Sequence, residues 1–344
     1  MIKNVTTLKK RLFKISCIVL FFIPLSVAAQ DMAYPIPGDG IYSFLRRWNR
    51  MDSTYVREFV ELNRDRLNAQ GGLELGTVYL IPPLHPGDVY PPKPVAFSTF
   101  DPALFGSAYA DVPKNSDKLK NACFYIESGH GGPDPGAVSN FDGIELHEDE
   151  YAYDIALRLA RNLMAEGATV YMVIQDQNDG IRDDKFLNNS YDETCLGEPI
   201  PGGQFDRLKQ RVNAVNKLYR EDRKKFDYLR AIAIHVDSRN ETEQIDVFFY
   251  HSDNPKSIAL AKTMSDVFQQ KYDQFQPWRG FQGVVGQRDL YVIRNYKPAS
   301  ILVEVGNIQN DFDRRRIILE NNRQAMANWM TLGFIKDYEN NLTK

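Results

Sequence analysis

Residues 122–136 read Ala-Cys-Phe-Tyr-Ile-Glu-Ser-Gly-His-Gly-Gly-Pro-Asp-Pro-Gly. The stretch joins an apolar run, 122–126, to a turn rich in glycine and proline. An apolar run of this length that ends in turn residues is typical of a buried strand. Layered α/β proteins place side chains that act together in the loops that follow such strands. We therefore expect His130 to lie at the edge of a sheet.

The alternation of apolar runs and amphipathic stretches continues to the C-terminus. Further apolar runs predict strands at 169–174, 229–235, 245–250, 290–293 and 300–305. Helical periodicity predicts helices at 149–166, 205–220, 255–272 and 313–338, the last with a break near Asn321. Because strands alternate with helices, we predict an α/β fold with a six-stranded, mostly parallel or mixed sheet flanked by helices.

The N-terminus is typical of an export signal. Five basic residues from Lys3 to Lys14 precede an apolar run, 15–27. This run is short for a membrane-spanning helix. Val27-Ala28-Ala29 is a small-residue cleavage site. We expect residues 1–29 to be removed, so that the mature protein reaches the periplasm or cell envelope without a stable membrane anchor.

Residues 36–82 predict a small α+β module. Gly38-Asp39 opens it as a turn, 41–48 and 55–63 have helical spacing, and 75–82 is typical of a closing strand. This order resembles a LysM module, a small domain that binds peptidoglycan and chitin. A generic small α/β cap is the alternative.

The remaining organisation follows from composition. Residues 83–119 are proline-rich and predict a semi-rigid linker whose aromatic residues pack on a domain, which leaves 120–344 as the main domain.

The segment 177–203 is unusually long for a loop, and either a lid over a cleft or disorder would explain its length. A net charge of -3 without a basic stripe argues against nucleic acid as a partner.

The mature chain would keep two cysteines, Cys123 and Cys195. An oxidising compartment would allow them to form a disulfide. We favour two free thiols, one in a strand and one in a loop, because a domain of this size does not need a covalent staple.

Two histidines and a glutamate stand at positions where a sheet edge would bring them together. His130 follows the first strand, His235 ends the strand at 229–235, and Glu148 begins the first helix of the main domain. Two imidazoles and a carboxylate form a three-ligand zinc shell that leaves one position open. Glu145 and His147 compete with Glu148 for the third place.

Glu304 interrupts the apolar run 301–305. A carboxylate inside a buried strand is costly unless it is paired or functional. Partial burial would raise its pKa toward the range of a general base. A buried salt bridge with Arg288 or Arg294 is the alternative.

Together these residues resemble the zinc-dependent N-acetylmuramoyl-L-alanine amidase family, of the amidase-3 type. The matching pieces occur in the family's order over Cys123 to the C-terminus: 129–132, 134–137, Glu148, Arg211 with Asn216, 234–235, and 298–310. The resemblance implies a peptidoglycan hydrolase that cleaves the amide between N-acetylmuramic acid and L-alanine of the stem peptide. It also implies one zinc ion held by His130, Glu148 and His235, with Glu304 as acid and base.

The chain departs from the family pattern at four places. Glu127-Ser128 replaces Asp-Pro, Ile174-Gln175 replaces Thr-Arg, Asp237 replaces Asn, and Asn307 replaces Phe. None is a ligand position, so the departures concern the substrate pocket. The candidates for substrate binding, or for orienting the ligands, are Asp237, Asn307, Arg294 and Arg211.

Two other functions fit the same residues. One is a different zinc peptidase or amidohydrolase, and the other is a catalytically silent wall-binding protein. The silent protein is disfavoured because all four site residues are present. We also hypothesise that 177–203 gates the cleft; no activating partner can be assigned from the sequence.

Overall fold

The structure is a computed structural model that describes residues 32–33, 35, 40–46, 50, 53–74, 76–83, 85, 102–106 and 108–342. The predicted export signal at 1–29 and about half of the predicted linker (84, 86–101 and 107) lie outside these ranges. Within the described ranges, no helix is long and apolar enough to cross a membrane.

The N-terminal module has the order strand–helix–helix–strand, and its first strand lies before residue 36. Its elements are β1 (Met32–Ala33), α1 (Ile41–Arg46), α2 (Ser53–Leu62) and β2 (Tyr79–Leu80). Strands β1 and β2 pair antiparallel. Six buried side chains form a separate apolar cluster: Phe44, Leu45, Tyr55, Phe59, Tyr79 and Ile81. The module therefore has a core of its own.

The remaining elements begin at residue 102. In chain order they are α3 (Pro102–Phe105), β3 (Ala122–Ser128), β4 (Val138–Phe141), β5 (Ile144–His147), α4 (Glu148–Ala165), β6 (Thr169–Met172), β7 (Ile174–Gln175), β8 (Thr194–Cys195), β9 (Glu198–Pro199), α5 (Gln204–Asp222), β10 (Tyr228–Asp237), β11 (Phe248–His251), α6 (Pro255–Phe275), β12 (Val284–Gln287), α7 (Tyr291–Asn295), β13 (Ala299–Asn307), α8 (Asp311–Ile318) and α9 (Glu320–Leu342).

Six of these strands form one mixed sheet in the order β12-β11-β13-β10-β3-β6. The neighbours from β13 to β6 are parallel, β11 runs antiparallel to β13, and β12 is parallel to β11. Helices α4, α6, α8 and α9 contribute to the core on one face, and α5 and α7 contribute to the core on the other. The predicted α/β fold with a six-stranded mixed sheet is confirmed.

One predicted strand is wrong. Residues 290–293 were expected to form a strand, but α7 begins at Tyr291, and the sixth strand is β12 instead. A short apolar run does not distinguish a strand from a buried helical turn, and Val292 and Ile293 are buried in α7. Strand β12 is a half-exposed edge, so its sequence carries no buried run.

The long segment at 177–203 is ordered and packed. Its strands β8 and β9 form a small antiparallel sheet with β7, which lies just before the segment. Ile181 and Leu187 are buried in the main core. The alternative that this segment is disordered is therefore wrong, because its apolar side chains and its backbone have defined partners.

The two cysteines are free and buried, as favoured from the sequence, but Cys195 lies in the short strand β8 and not in a loop. Cys123 and Cys195 both belong to the core beneath α5 and α7. Burial raises the pKa of each thiol to about 12, so neither is a thiolate near neutral pH.

Candidate metal centre

Three parallel strands end at the same edge of the sheet. The backbone N–H of Gly129 donates to the carbonyl of Ile234 at 2.7 Å, which holds the turn after β3 beside the end of β10. His235 of β10 is in register with Glu304 of β13. Residues in register on adjacent parallel strands project from the same face. The predicted convergence of His130, His235 and Glu304 follows from this arrangement.

Glu148 joins the two histidines at this edge. Its Oε1 lies 3.3 Å from His130 Nε2 and 3.0 Å from His235 Nδ1. The two imidazole rings are nearly perpendicular, with centroids 5.1 Å apart. One ligand atom from each of the three side chains lies within 4.8 Å of the other two. The predicted ligand set therefore forms a single cluster.

The β4–β5 hairpin delivers Glu148 to the cluster. Its turn is Asp142-Gly143, with both residues at positive φ, and α4 starts directly after β5. Glu148 Oε2 accepts from the N–H of Ala137 at 2.9 Å, and Oε1 accepts from the N–H of Val236 at 3.0 Å. Four hydrogen-bonding contacts thus fix this carboxylate.

Glu145 and His147, the competing ligand candidates, lie outside the cluster. His147 Nε2 is 3.6 Å from Glu145 Oε2, and the side chain of Glu145 is largely exposed. Of these three candidates, only Glu148 groups with His130 and His235 among the described residues.

The turn after β3 orients His130. The backbone of His130 is in the left-handed region, with a φ of 61°, which is uncommon for a residue other than glycine. Its Nδ1 lies 2.9 Å from Asp134 Oδ2, which leaves Nε2 directed at Glu148. Asp134 is in turn paired with Arg207 at 2.7 Å. The sequence identified Asp134 as a turn residue but not as the partner of His130.

Hydrogen bonds and burial set the protonation of the cluster. Burial opposes ionisation of Glu148, but the hydrogen bonds from His130 and His235 outweigh it and hold its pKa well below the usual value. Burial would lower the pKa of His130, but the bonds to Asp134 and Glu148 raise it to about 10. A cation and a proton therefore compete for the same Nε2.

Glu304 lies beside the cluster, and one of its carboxylate oxygens makes no hydrogen bond among the described residues. Among the described residues its Oε2 is buried and has no hydrogen-bond partner. Burial raises the pKa of Glu304 to about 7; the charge of His235 opposes the rise, and the charges of Glu148 and Asp237 add to it. The alternative salt bridge is absent from the described contacts, because Arg294 pairs with Asp289 and Arg288 lies over the ring of Tyr250.

The donor set fits a zinc ion. Zinc binds imidazole nitrogen and carboxylate oxygen at about 2.0–2.2 Å, so two ligand atoms of a tetrahedral site lie about 3.3 Å apart. The separations of 3.3 Å and 3.0 Å from Glu148 Oε1 to the two nitrogens are close to that value. Three protein ligands leave the fourth position of a tetrahedron open.

A family model described as N-acetylmuramoyl-L-alanine amidase matches residues 125–336. The chain belongs to this family. The match begins in β3, before His130, and ends in α9, so it contains all four site residues. The family resemblance predicted from the sequence is confirmed.

A bacterial protein is similar in sequence to this chain. A probable cell wall amidase of Staphylococcus aureus, LytH, is 28% identical over 219 residues, which are 63% of this chain and 58% of that protein. The matched region thus spans 58% of the length of this relative.

Solved structures of amidases are also similar to this chain. AmiC2 of Nostoc punctiforme is 22% identical, with a TM-score of 0.45, over 64% of this chain and 98% of that one. Ami1 of Mycobacterium smegmatis is 18% identical, with a TM-score of 0.47, over 64% and 99%.

Arg211, a predicted accessory residue, is buried beside the turn that carries His130. Its Nη2 donates to the carbonyl of His130, and its Nε lies 3.1 Å from Glu127 Oε1. The hydroxyl of Tyr296 donates to the other oxygen of Glu127. Glu127, a departure from the family pattern, therefore anchors the arginine that supports the His130 turn.

Asp237 and Asn307 are in register at the ends of β10 and β13. Asp237 pairs with Arg239 at 2.5 Å. Asn307 is fully buried; its amide donates to the carbonyls of Asn240 and Glu243 and accepts from the N–H of Arg239. Its contacts hold the loop after β10 rather than an open pocket.

Arg294 is separate from these residues. Its side chain is half exposed and pairs with Asp289 at 2.6 Å. No described contact joins it to the metal cluster or to Glu304.

Proposed function

We propose that this protein is a zinc-dependent peptidoglycan hydrolase that cleaves the amide between N-acetylmuramic acid and L-alanine of the stem peptide. The observation that carries the proposal is the convergence of His130, Glu148 and His235 beside the buried, unpartnered carboxylate oxygen of Glu304. Membership of the amidase family supports the choice of bond.

The metal would be held by His130 Nε2, Glu148 and His235 Nδ1. When bound, zinc supplies a Lewis acid that makes water more acidic and polarises the amide carbonyl. Asp134 fixes the orientation of His130, and the backbone N–H groups of Ala137 and Val236 fix Glu148. Such supporting hydrogen bonds keep ligands in position and raise the affinity for the metal.

Glu304 would be the acid and base of the reaction. Its pKa of about 7 makes both protonation states accessible near neutral pH. As a carboxylate it takes a proton from the attacking water, and as an acid it returns that proton to the leaving nitrogen. The unused Oε2 is the atom available for this transfer.

The remaining parts of the chain fit a wall enzyme. We propose that residues 1–29 export the protein, that 36–82 form a LysM-like wall-binding module, that 83–119 link it, and that 120–344 form the catalytic domain. The separate core of the module supports this division. The site of action would be the periplasm or cell envelope, with peptidoglycan as the partner.

The test is digestion of purified sacculi by the zinc-loaded protein, with mass spectrometry of the products. We expect free stem peptides that begin at L-alanine. Glu304→Gln should bind one zinc ion as wild type does but lose activity by roughly 100-fold or more, because it keeps the shape and loses the base.

Glu145→Gln is the matched control, since Glu145 is an exposed carboxylate on the neighbouring hairpin. It should retain both zinc and activity. Cleavage within the stem peptide instead would favour a zinc peptidase. Zinc binding without any product would favour a silent wall-binding protein.

A further inference from the structure

A second group of acidic side chains is buried next to the metal centre and takes no part in the proposed chemistry. Asp149 and Glu150 lie in the first turn of α4, and Asp176 and Glu193 lie in and around the segment 177–203. We call these four residues the acid cluster. Their exposed fractions are 2%, 1%, 2% and 7%.

One hydroxyl shows how closely these carboxylates approach one another. Ser190 Oγ lies 3.2 Å from Glu150 Oε1, 3.0 Å from Asp176 Oδ2 and 3.0 Å from Glu193 Oε1. A hydroxyl has one proton to donate. At least two of the three approaches are therefore contacts between acceptors, unless a carboxyl carries a proton or a cation lies between them.

Asp149 adds an oxygen that nothing satisfies. Its Oδ1 accepts from the N–H of Glu150 at 2.9 Å, but its buried Oδ2 has no hydrogen-bond partner among the described residues. One carboxylate oxygen from each of Asp149, Glu150 and Glu193 lies within 4.8 Å of the other two. A buried carboxylate oxygen without a partner is costly, so this group must either take up protons or bind a cation.

The protein supplies only part of that charge. In the described chain, the ion pair that reaches the acid cluster joins Arg182 Nη2 to Glu150 Oε2 at 2.7 Å. Glu193 Oε2 accepts from the N–H of Gly132 at 2.7 Å, and Asp176 Oδ1 accepts from the N–H of Asn178 at 2.6 Å. These donors leave Asp149 Oδ2 without a partner, so a cation or added protons must offset the crowding of the acid cluster.

We propose that Asp149, Glu150 and Glu193 form a second cation site, distinct from the His130 site, that binds one Ca²⁺ ion. Calcium takes oxygen ligands at about 2.3–2.6 Å, so atoms within 4.8 Å of one another can share one ion. The group contains carboxylates and a hydroxyl but no imidazole or thiolate, which favours a hard cation over zinc.

The position of the site gives it a structural role. Glu148 and Asp149 are consecutive on α4, so their side chains point about 100° apart around the helix axis, one to each cluster. Glu193 also holds the N–H of Gly132, two residues after His130. Calcium would therefore fasten the segment 177–203 to α4 and to the turn that carries His130.

The test uses the zinc-loaded full chain in buffer freed of calcium by a chelating resin. Titration with CaCl₂ in a calorimeter should show one equivalent of Ca²⁺ bound in addition to zinc, and the Tm should rise by several degrees. Glu193→Gln should weaken Ca²⁺ binding at least tenfold. Glu198→Gln, the same change at an exposed position of the same segment, should bind as wild type does.

Stability without calcium gives an independent readout. In calcium-free buffer Glu193→Gln should be at least as stable as wild type, because it removes one of the crowded charges. Added CaCl₂ should reverse that order. Asp149→Asn provides the same comparison if Glu193→Gln does not fold.

Three outcomes would overturn the proposal. They are the absence of Ca²⁺ binding to the zinc-loaded wild type, unchanged binding by Glu193→Gln, or displacement of Ca²⁺ by one further equivalent of zinc. Binding of Mg²⁺ but not Ca²⁺ would overturn the assignment to calcium. Because the readouts are binding and Tm, the result is independent of the proposed hydrolase activity.

Discussion

Glycine at two positions leaves room for the imidazoles of the metal centre. A Cβ on Gly129 would lie 2.4 Å from the ring of His235, and one on Gly136 would lie 2.7 Å from Glu148 Oε2. Gly136 is also left-handed, at φ 69. The glycines of the His130 turn are therefore required by the side chains around them as well as by the turn.

Gly129→Ala should damage the zinc site. The added methyl group forces the His235 ring out of line with Glu148, so we expect zinc affinity to fall at least tenfold and the free energy of unfolding to fall by about 1–3 kcal/mol. Competition with a fluorescent zinc chelator measures the affinity.

Gly202→Ala is the control, since a Cβ there meets nothing within 4 Å. It should bind zinc as wild type does. Wild-type affinity in Gly129→Ala would mean that His235 is not a ligand in its observed orientation.

At the scale of elements, one arginine joins α9 to α4 and to the long segment. Arg323 is fully buried and donates to the carboxylate of Asp154. It also donates to the last carbonyls of α8 and to the carbonyls of Arg182 and Asp184. The elements behind the metal centre are thus fastened through one side chain.

Arg323→Met should lower the free energy of unfolding by about 3–5 kcal/mol, because it leaves buried carbonyls and a buried carboxylate short of a donor. Urea unfolding of the zinc-loaded protein measures the change. Arg315→Met, at an exposed position on α8, should change it by less than about 0.5 kcal/mol. Equal losses in the two variants would contradict the role of Arg323.

The sequence predicted those elements and site residues that a local pattern marks, and it missed those without one. His130, His235 and Glu304 could be found because each stands at or near the end of an apolar strand, and parallel strands end at a common edge. Strand β12 could not be found, because a half-exposed edge strand lacks a buried run. The acid cluster could not be found either, because Glu193 lies in a long segment whose sequence has no periodic pattern to indicate how it packs.

At the scale of the whole molecule, the N-terminal module and the main domain have separate apolar cores. Deletion of residues 36–82 should therefore leave the main core intact. If the module binds the wall, the deletion should lower binding to sacculi at least tenfold while turnover of a soluble muropeptide stays within about twofold.

Co-sedimentation with sacculi measures the binding, and circular dichroism checks that the shortened protein is folded. Unchanged co-sedimentation would remove the wall-binding role and leave a small α/β cap. Loss of turnover on the soluble substrate would show instead that the module supports the active domain.

The hydrogen bond from Gly132 to Glu193 limits how this enzyme could be recombined with its relatives. A chimera that takes a different segment in place of 177–203 would leave the N–H of Gly132 unsatisfied unless the donor chain offers an acceptor at the same point. The segment 177–203 and the His130 turn therefore depend on each other. Chimeras of this protein and its relatives should take both regions from the same parent.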